Sequence, residues 1–311
     1  MIDTSTASTQ KEKVEIITRH LETEMKNLFE SERYRDFLKT VARFPRYSAN
    51  NCLLIFSQNP SASYVCSFTA WREMGRYPKR GEKGLCILCP VPHLKTVEKA
   101  VTDSNGKPIT DTDGTQKTEK EQVEIVNFRI GYVFDVSQTE GKEIELLKPK
   151  ILTGDVENAE AIKEALIKAA ACPVSFSQIP GSVNGYYDPA KKEIVVDSDL
   201  PSLHQIKTLI HEIAHKTVDS HALLGKYDRA ENEVIAESTA FICAESIGID
   251  TRDYSLNYIG NWAQGRELSA LKRTLSEIQS CALEITAVLD KELHLENIRH
   301  SEKVKQKART A

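Results

Sequence analysis

The chain has 311 residues, of which 40% are hydrophobic and 28% are charged, and its formal net charge is −4. This length is enough for two domains that each bury a core, and the composition excludes a largely disordered chain. No apolar run approaches the roughly 20 residues that a membrane span requires, and the N-terminus is polar, so we expect a soluble cytoplasmic protein without a membrane partner. Seven scattered cysteines favour reduced thiols over a disulfide framework.

The first half of the chain combines predicted helices with β-rich segments. A helix is predicted over residues 9–42 because its apolar residues follow the 3.6-residue period, at Val14, Ile17, Leu21, Met25 and Leu28. A second helix is predicted from Ser48 to just before Pro60, and a short one ends at Gly75. Two β-rich runs, GLCILCPV and EIVNFRIGYVFDV, flank the polar residues 95–122, which predict a mobile hairpin insertion.

The second half is predicted to be mostly helical. A helix around residues 157–171 precedes two short strands, VNGYYD and KEIVVD, which are joined by a turn. Three further helices are predicted, over residues 201–219, 228–247 and 266–295. The expected fold class is α+β, with an α+β domain over residues 1–150, a mostly helical domain with a small β-sheet over 151–295, and a flexible tail over 296–311.

The segment HEIAH carries the strongest chemical pattern in the second half. His211 and His215 lie one helical turn apart, about 5–6 Å between Cβ atoms, so both imidazoles can bind one Zn²⁺. Glu212 lies beside them, where it can act on water at the metal without being a ligand. The next helix offers Glu233 as third ligand, with 17 residues between it and His215. Glu237, one turn later, can orient a liganding histidine from behind.

A rival third ligand is His221, which matches the register of HExxHxxGxxH. That pattern requires glycine where the sequence has Val218, and it also requires a downstream methionine turn that the sequence lacks. We therefore expect His221 to be a surface histidine.

The surroundings of HEIAH favour a peptide or protein substrate. The strand KEIVVD precedes the HEIAH helix, and such a strand can hold an extended peptide along a sheet edge. The pattern therefore predicts a gluzincin-like zinc metallopeptidase, in which the metal polarises the peptide carbonyl and Glu212 takes a proton from the attacking water. The hydroxyl that stabilises the oxyanion is left open among Tyr186, Tyr187 and Tyr227.

Basic and aromatic residues concentrate in the first half, although the whole chain is acidic. Between residues 33 and 84, ten Arg and Lys face three acidic residues, which gives +7 locally and leaves −11 for the remainder. Cations that contact phosphates and rings that stack on unpaired bases, at ~1–3 kcal/mol each, are typical of single-stranded nucleic-acid binding. The candidate DNA-binding residues are Arg46, Trp71, Arg72, Arg76, Tyr77, Lys79, Arg80 and Lys83.

Two expectations accompany this assignment. Trp71 and Tyr77 are expected to be exposed, whereas at least half of the rings are expected in the core, among Phe37, Phe44, Phe56 and Phe68. The CxxC pair of Cys86 and Cys89 has His93 nearby, but no second pair completes a zinc site, so we expect structural cysteines.

Several segments together resemble the ArdC-type antirestriction family. YSANNCLLIFSQNP, SFTAWREMGRYPKRGEKG, ILCPVP and YVFDVSQTEG resemble its N-terminal domain, whereas HEIAHKT and AENEVIAESTAFICAESIGI resemble its C-terminal metallopeptidase-like domain. The resemblance covers roughly residues 10–280. It implies a single-stranded-DNA-binding first domain, a zincin second domain, and protection of incoming mobile-element DNA from host restriction during conjugation. It also implies metal ligation by His211, His215 and Glu233, with Glu212 as the catalytic residue.

Two other functions remain open from the sequence. The first is a regulatory protease of the ImmA/IrrE type that cleaves a repressor, with the N-terminal domain as a targeting device. The second is a non-catalytic DNA-binding module that holds zinc for stability. Replacement of Glu212 distinguishes a hydrolytic function from a non-catalytic one, because it leaves the metal ligands in place.

Overall fold

The computed structural model describes residues 2–29, 33–101, 116–143, 156–221, 227–251 and 259–293, and the single residues Ile109, Leu256 and Leu295. Its helices are α1 (Gln10–Phe29), α2 (Arg33–Arg43), α3 (Ala49–Gln58), α4 (Phe68–Glu73), α5 (Val156–Ala170), α6 (Ser202–Ser220), α7 (Arg229–Ser246), α8 (Ile259–Ala263) and α9 (Leu268–Glu292). Its strands are β1 (Val65–Ser67), β2 (Arg76–Pro78), β3 (Leu85–Ala100), β4 (Thr118–Asp135), β5 (Thr139–Gly141), β6 (Val174–Ser177), β7 (Gly185–Asp188) and β8 (Glu193–Asp197). The predicted α+β class is confirmed.

Strands β3 and β4 form a long antiparallel hairpin in the first half. Their register runs from Leu85 opposite Val133 to Ala100 opposite Thr118, and β1 pairs with the other edge of β4. The hairpin therefore extends into both ends of the predicted insertion, because its residues 95–100 and 118–122 are paired in the two strands. The residues between, 102–108 and 110–115, lie outside the described part of the chain.

Helix α3 covers the outer edge of β3 with two amide side chains. Asn51 accepts a hydrogen bond from the N–H of Leu88 and donates one to its carbonyl, each at 2.9 Å. Gln58 makes the same pair of bonds with the backbone of Cys86, each at 3.0 Å. The amides thus take the place of a neighbouring strand, which blocks pairing of this edge with another chain.

The predicted single helix over residues 9–42 is wrong, since the structure has two helices there. Helix α1 contacts α3, α8, α9 and β4, whereas α2 packs mainly on α7 and α3. Each helix buries its own apolar face against different elements, so one straight helix could not bury both faces. The boundaries predicted from local chemistry are confirmed: Ser48 caps α3 by accepting from the N–H of Asn51, and α4 ends just before Gly75.

The small sheet of the second half has the order β6–β8–β7, with β6 parallel and β7 antiparallel to β8. The prediction that KEIVVD supplies the sheet edge beside the HEIAH helix is wrong, because β8 is flanked on both sides. Helix α6 contacts both β7 and β8, and of these two strands β7 lies at the sheet edge. Gly185 permits this approach, since a Cβ there would lie 2.6 Å from Cγ2 of Thr208 on α6.

The two halves of the chain share one apolar core. Helix α2 packs on α7, where the hydroxyls of Tyr34 and Ser238 lie 2.8 Å apart. The predicted boundary near residue 150 and the predicted tail over 296–311 lie outside the described residues. Among the described helices, none combines the length and apolar character needed to cross a bilayer.

Candidate metal centre

The candidate metal centre lies where α6 and α7 pack against each other. Helix α6 is anchored by a buried apolar face that includes Ile206, Leu209, Ile210 and Ile213. Helix α7 starts at Asp228, whose side chain accepts from the N–H of Glu231 and fixes the first turn. Each helix is thus held on its apolar side, which leaves one polar turn of each facing the other.

Three potential ligands converge between these helices. Nε2 of His211 and Nε2 of His215 lie 3.0 Å apart. Oε2 of Glu233 lies 3.6 Å from Nε2 of His211, and Oε1 of Glu233 lies 3.7 Å from Nε2 of His215. Ligands roughly 2.0–2.1 Å from a tetrahedral zinc ion lie roughly 3.3–3.4 Å from one another. The two nitrogens and one carboxylate therefore fit a zinc-sized divalent ion and leave one coordination position for another molecule.

Two further carboxylates surround the three potential ligands. Oε2 of Glu237 lies 3.1 Å from Nδ1 of His211, behind the ring and away from Glu233. This contact orients the ring so that Nε2 points towards the other ligands. Glu212 is buried, and the backbone N–H of Tyr187 on β7 donates a hydrogen bond to its carboxylate. Burial raises the pKa of Glu212, which brings this carboxyl closer to the range of a base near neutral pH.

The two imidazoles differ in protonation. Burial disfavours charge on His211, but hydrogen bonds to Glu233 and Glu237 outweigh it and raise the pKa of His211 to about 10. Burial and the neighbouring charge of His211 lower the pKa of His215 to about 4. The pair thus carries one positive charge beside three carboxyl groups, and a divalent cation would offset the negative charge of these groups.

Glu233 and Glu237 differ in the effect expected from their removal. We expect Glu237→Ala to weaken zinc binding by about 10–100-fold, the cost of losing a carboxylate behind a liganding imidazole. Glu233→Ala should weaken it further, because a direct ligand is lost. Competition titration against a chromophoric chelator measures both affinities, and the reverse order would show that the two carboxylates have exchanged roles.

The structure distinguishes the three tyrosines considered as oxyanion donors. The hydroxyl of Tyr187 donates to Asp219 at the end of α6. Tyr227 is buried, with its hydroxyl beside Glu277 on α9. Tyr186 is 41% exposed and, by strand alternation, lies on the opposite face of β7 from Tyr187. Tyr187 and Tyr227 therefore have carboxylate partners, and Tyr186 has the most exposed ring of the three.

The prediction of His221 as a surface histidine is wrong. Its ring is only partly exposed and lies between two carboxylates of α9, Glu277 at 2.6 Å and Glu284 at 3.3 Å. The spacing of Glu277, Cys281 and Glu284 along a predicted helix places them on one face, which is the sequence pattern that could have indicated a partner.

Most of the basic residues predicted to bind DNA lie between the last turn of α4 and the start of β3. Arg72, Lys79, Arg80 and Lys83 are exposed there, and Arg46 is exposed before α3. Arg76 is braced instead: its guanidinium donates to Thr139 and to the carbonyl of Lys142, and this holds β2 against β5. We name Arg72, Lys79, Arg80 and Lys83 the basic loop.

The prediction of an exposed Trp71 is wrong. The side chain is fully buried, its Nε1 donates to the carbonyl of Phe134 at 2.8 Å, and its ring packs on Tyr64. Trp71 therefore ties α4 to β4 and cannot stack on a base without unfolding this contact. Tyr77 is 50% exposed, as expected.

Three exposed rings were not among the predicted stacking residues. Phe68, predicted to be core, is 50% exposed, whereas Phe37, Phe44 and Phe56 are buried. Phe128 and Tyr132 share one face of β4, at 50% and 48% exposure. Tyr132 lies beside the end of the basic loop, because a Cβ added to Gly84 would come within 2.9 Å of Cβ of Tyr132. Alternation within FRIGYVF was the only sequence pattern that could have indicated this exposed face.

Cys86 and Cys89 lie in β3, opposite Tyr132 and Arg129. Residues three apart in a strand point to opposite faces, so the two thiols cannot bind one metal ion. Burial raises the pKa of Cys86. This geometry is compatible with the predicted structural role.

Comparisons with known proteins agree with this architecture. Residues 9–134 match the family described as the N-terminal domain of anti-restriction factor ArdC. An uncharacterized Bacillus anthracis protein, pXO2-81, is 25% identical over 283 residues, which cover 81% of this chain and 47% of that protein. The chain thus spans about half the length of this curated relative.

Two crystal structures of the antirestriction protein ArdC from plasmid R388 are also similar. The Mn(II)-bound structure has a TM-score of 0.51 at 18% identity and covers 87% of this chain and 97% of its own. The metal-free structure has a TM-score of 0.49 at 21% identity and covers 78% of this chain and 85% of its own. The Mn(II)-bound structure shows a shared fold.

Proposed function

We propose that this chain, whose residues 9–134 match the N-terminal domain of anti-restriction factor ArdC, is an ArdC-type antirestriction protein with a metal-dependent peptidase centre. In this proposal the first half binds single-stranded DNA and the second half cleaves a peptide or protein. The observation that carries it is the convergence of His211, His215 and Glu233 around one point, with the buried Glu212 beside them.

The donor set favours zinc as the resident ion. Two imidazole nitrogens and one carboxylate suit zinc better than manganese, which prefers oxygen donors. The Mn(II)-bound structure of the R388 protein supports binding of a divalent ion by this fold. Such an ion, when bound, supplies a Lewis acid that polarises a carbonyl and lowers the pKa of water.

The chain's own residues supply the general base and position the substrate. Glu212 accepts a proton from the attacking water and returns it to the amide nitrogen that leaves. The hydrogen bond from Tyr187 fixes this carboxylate and links it to β7. In the described residues the outer edge of β7 pairs with no strand, so an extended peptide can add there as a fourth strand.

The basic loop is the part of the first half best placed to bind a DNA backbone. Its four cations are exposed on one segment, and two exposed rings lie beside it, Tyr77 within the segment and Tyr132 across from Gly84. Cations that contact phosphates and rings that stack on bases together favour single strands over duplex, because pairing hides the faces of the bases.

Replacement of the four cations of the basic loop should change how the affinity for DNA depends on salt concentration. Each phosphate contact contributes about −0.7 to the log–log slope of affinity against salt on single strands. If three or four contacts are lost, replacement of all four cations by alanine should flatten the slope by roughly 2–3 units. Fluorescence anisotropy with a labelled oligonucleotide over a salt series measures this.

The matched control for that experiment is Lys191→Ala/Lys192→Ala, which removes two exposed cations from the β7–β8 turn. This variant should leave the slope unchanged. An equal change in both variants, or equal affinity of the protein for duplex and single strands, would contradict the assignment of the basic loop.

One observation favours a second candidate, in which zinc only stabilises a DNA-binding protein. Helix α7 bears Glu233 and Glu237, yet it also contacts the first half through Ser238, which hydrogen-bonds Tyr34 on α2. A metal that joins α6 to α7 would therefore also stabilise the surface on which α2 packs. Loss of metal would then impair DNA binding without any hydrolysis.

A further inference from the structure

A second cluster of metal-binding side chains lies where the end of α6 meets α9. His221 follows the last turn of α6, and its backbone N–H bonds to the carbonyls of Thr217 and Val218. Glu277 and Cys281 lie one turn apart on α9. Nδ1 of His221 lies 2.6 Å from Oε1 of Glu277, and Sγ of Cys281 lies 3.6 Å from the same oxygen. The three potential ligand atoms all lie within 4.8 Å of one another.

Two further groups orient this cluster from behind. Oε2 of Glu284 lies 3.3 Å from Nε2 of His221, on the far side of the ring from Glu277. The hydroxyl of Tyr227 lies 3.5 Å from Oε2 of Glu277, the oxygen that does not face His221. A carboxylate behind an imidazole is the arrangement that fixes ring orientation at metal sites. Glu284 is largely exposed, whereas Cys281 is fully buried, so the cluster runs from solvent into the core.

We propose that His221 Nδ1, a carboxylate oxygen of Glu277 and Sγ of Cys281 bind a second divalent metal ion, of the class that accepts thiolate ligands, such as zinc. Tetrahedral ligands at roughly 2.0–2.3 Å from zinc lie roughly 3.3–3.8 Å apart. The sulfur and the carboxylate oxygen are already at this spacing. The 2.6 Å contact between His221 and Glu277 must lengthen, and His221 lies at a helix end where its ring can shift.

The proton balance of this binding follows from the contacts. Both ring nitrogens of His221 face carboxylate oxygens, so the metal-free ring donates from both and carries a positive charge. Burial raises the pKa of the Cys281 thiol, so this sulfur also holds its proton. The ion replaces the proton on Nδ1 and the proton on sulfur, and two protons pass to solvent. The proton on Nε2 stays with Glu284.

This site is separate from the first centre and does not depend on the proposed function. Its carboxylate and thiol ligands come from α9, whereas Glu233 comes from α7. The first centre offers only nitrogen and oxygen donors, whereas the second contains sulfur. A probe that reports metal–sulfur bonds therefore detects the second site alone.

Titration of the full chain with Co²⁺ is the direct test. A thiolate bound to Co²⁺ gives an intense charge-transfer band in the near ultraviolet, which nitrogen and oxygen donors do not give. We expect the intensity of this band at saturation to correspond to one thiolate-bound Co²⁺ per chain, and the band to be lost in Cys281→Ser. The matched control, Cys52→Ser, replaces another fully buried cysteine, on α3, and should keep the band.

Far-ultraviolet circular dichroism shows whether Cys281→Ser folds. If it does not fold, His221→Gln tests metal binding at this site independently. The band should be lost in His221→Gln, and Co²⁺ affinity should fall about 10–100-fold in Glu284→Gln. Absence of the band in the unmodified protein, or an unchanged band in either Cys281→Ser or His221→Gln, would overturn the proposal.

Discussion

Replacement of both His211 and His215 by alanine is expected to remove one equivalent of zinc per chain. The two imidazole nitrogens face each other at 3.0 Å, so their loss leaves Glu233 as the only direct ligand of the centre. A single carboxylate shared with solvent does not hold zinc against a chelator. Elemental analysis after brief dialysis against a weak chelator measures the difference between the variant and the unmodified protein.

His204→Ala is the matched control for the double replacement. His204 lies on the same helix, α6, but its side chain is exposed and lies outside the cluster. Zinc content should be unchanged in this variant. If the double variant retained all of its zinc, the metal would reside elsewhere, and the ligand assignment would be wrong.

Trp71→Ala should destabilise the fold by ~3–5 kcal/mol, the typical cost of truncating a buried aromatic side chain. The replacement removes a fully buried ring, its hydrogen bond to Phe134 and its contact with Tyr64. Any loss of DNA affinity would then follow from partial unfolding rather than from a lost stacking contact. Urea denaturation followed by circular dichroism measures the change in the free energy of unfolding.

Tyr77→Ala provides the contrast, since this ring is half exposed. Its stability should change by no more than about 0.5 kcal/mol, as for most surface substitutions. Its affinity for single-stranded DNA should fall by ~1–3 kcal/mol, with the salt slope nearly unchanged. If Trp71→Ala were as stable as the unmodified protein and lost affinity like Tyr77→Ala, the buried position of Trp71 would be contradicted.

The contacts within α6 and α7 could be predicted from sequence because helical periodicity determines them. His211 and His215 had to share a face, and so did Glu233 and Glu237. Glu233 was predicted as a ligand from its zincin-like spacing after His215 and from the family resemblance, and Glu237 was predicted to orient a liganding histidine. The structure places both carboxylates accordingly, at 3.6 Å from Nε2 and 3.1 Å from Nδ1 of His211.

The misassigned residues depended on contacts between distant segments. Trp71 stands in a charged, glycine-containing stretch, and only its packing under β4 reveals that it is buried. His221 meets its partners 56 and 63 residues later in the chain. The central position of β8 depends on β6, a four-residue strand too short to show periodicity. Local patterns cannot determine such pairings, because each depends on which elements meet across the core.

Protection from restriction by Glu212→Gln in a plasmid-transfer assay distinguishes a hydrolytic centre from a purely structural one. This replacement keeps the volume of the buried side chain and leaves His211, His215 and Glu233 in place, while it removes the proton acceptor. We expect protection to be lost, while zinc content and affinity for single-stranded DNA stay the same. Full protection by a variant that retains its zinc and its DNA affinity would contradict a hydrolytic role and favour a DNA-binding protein stabilised by its metal.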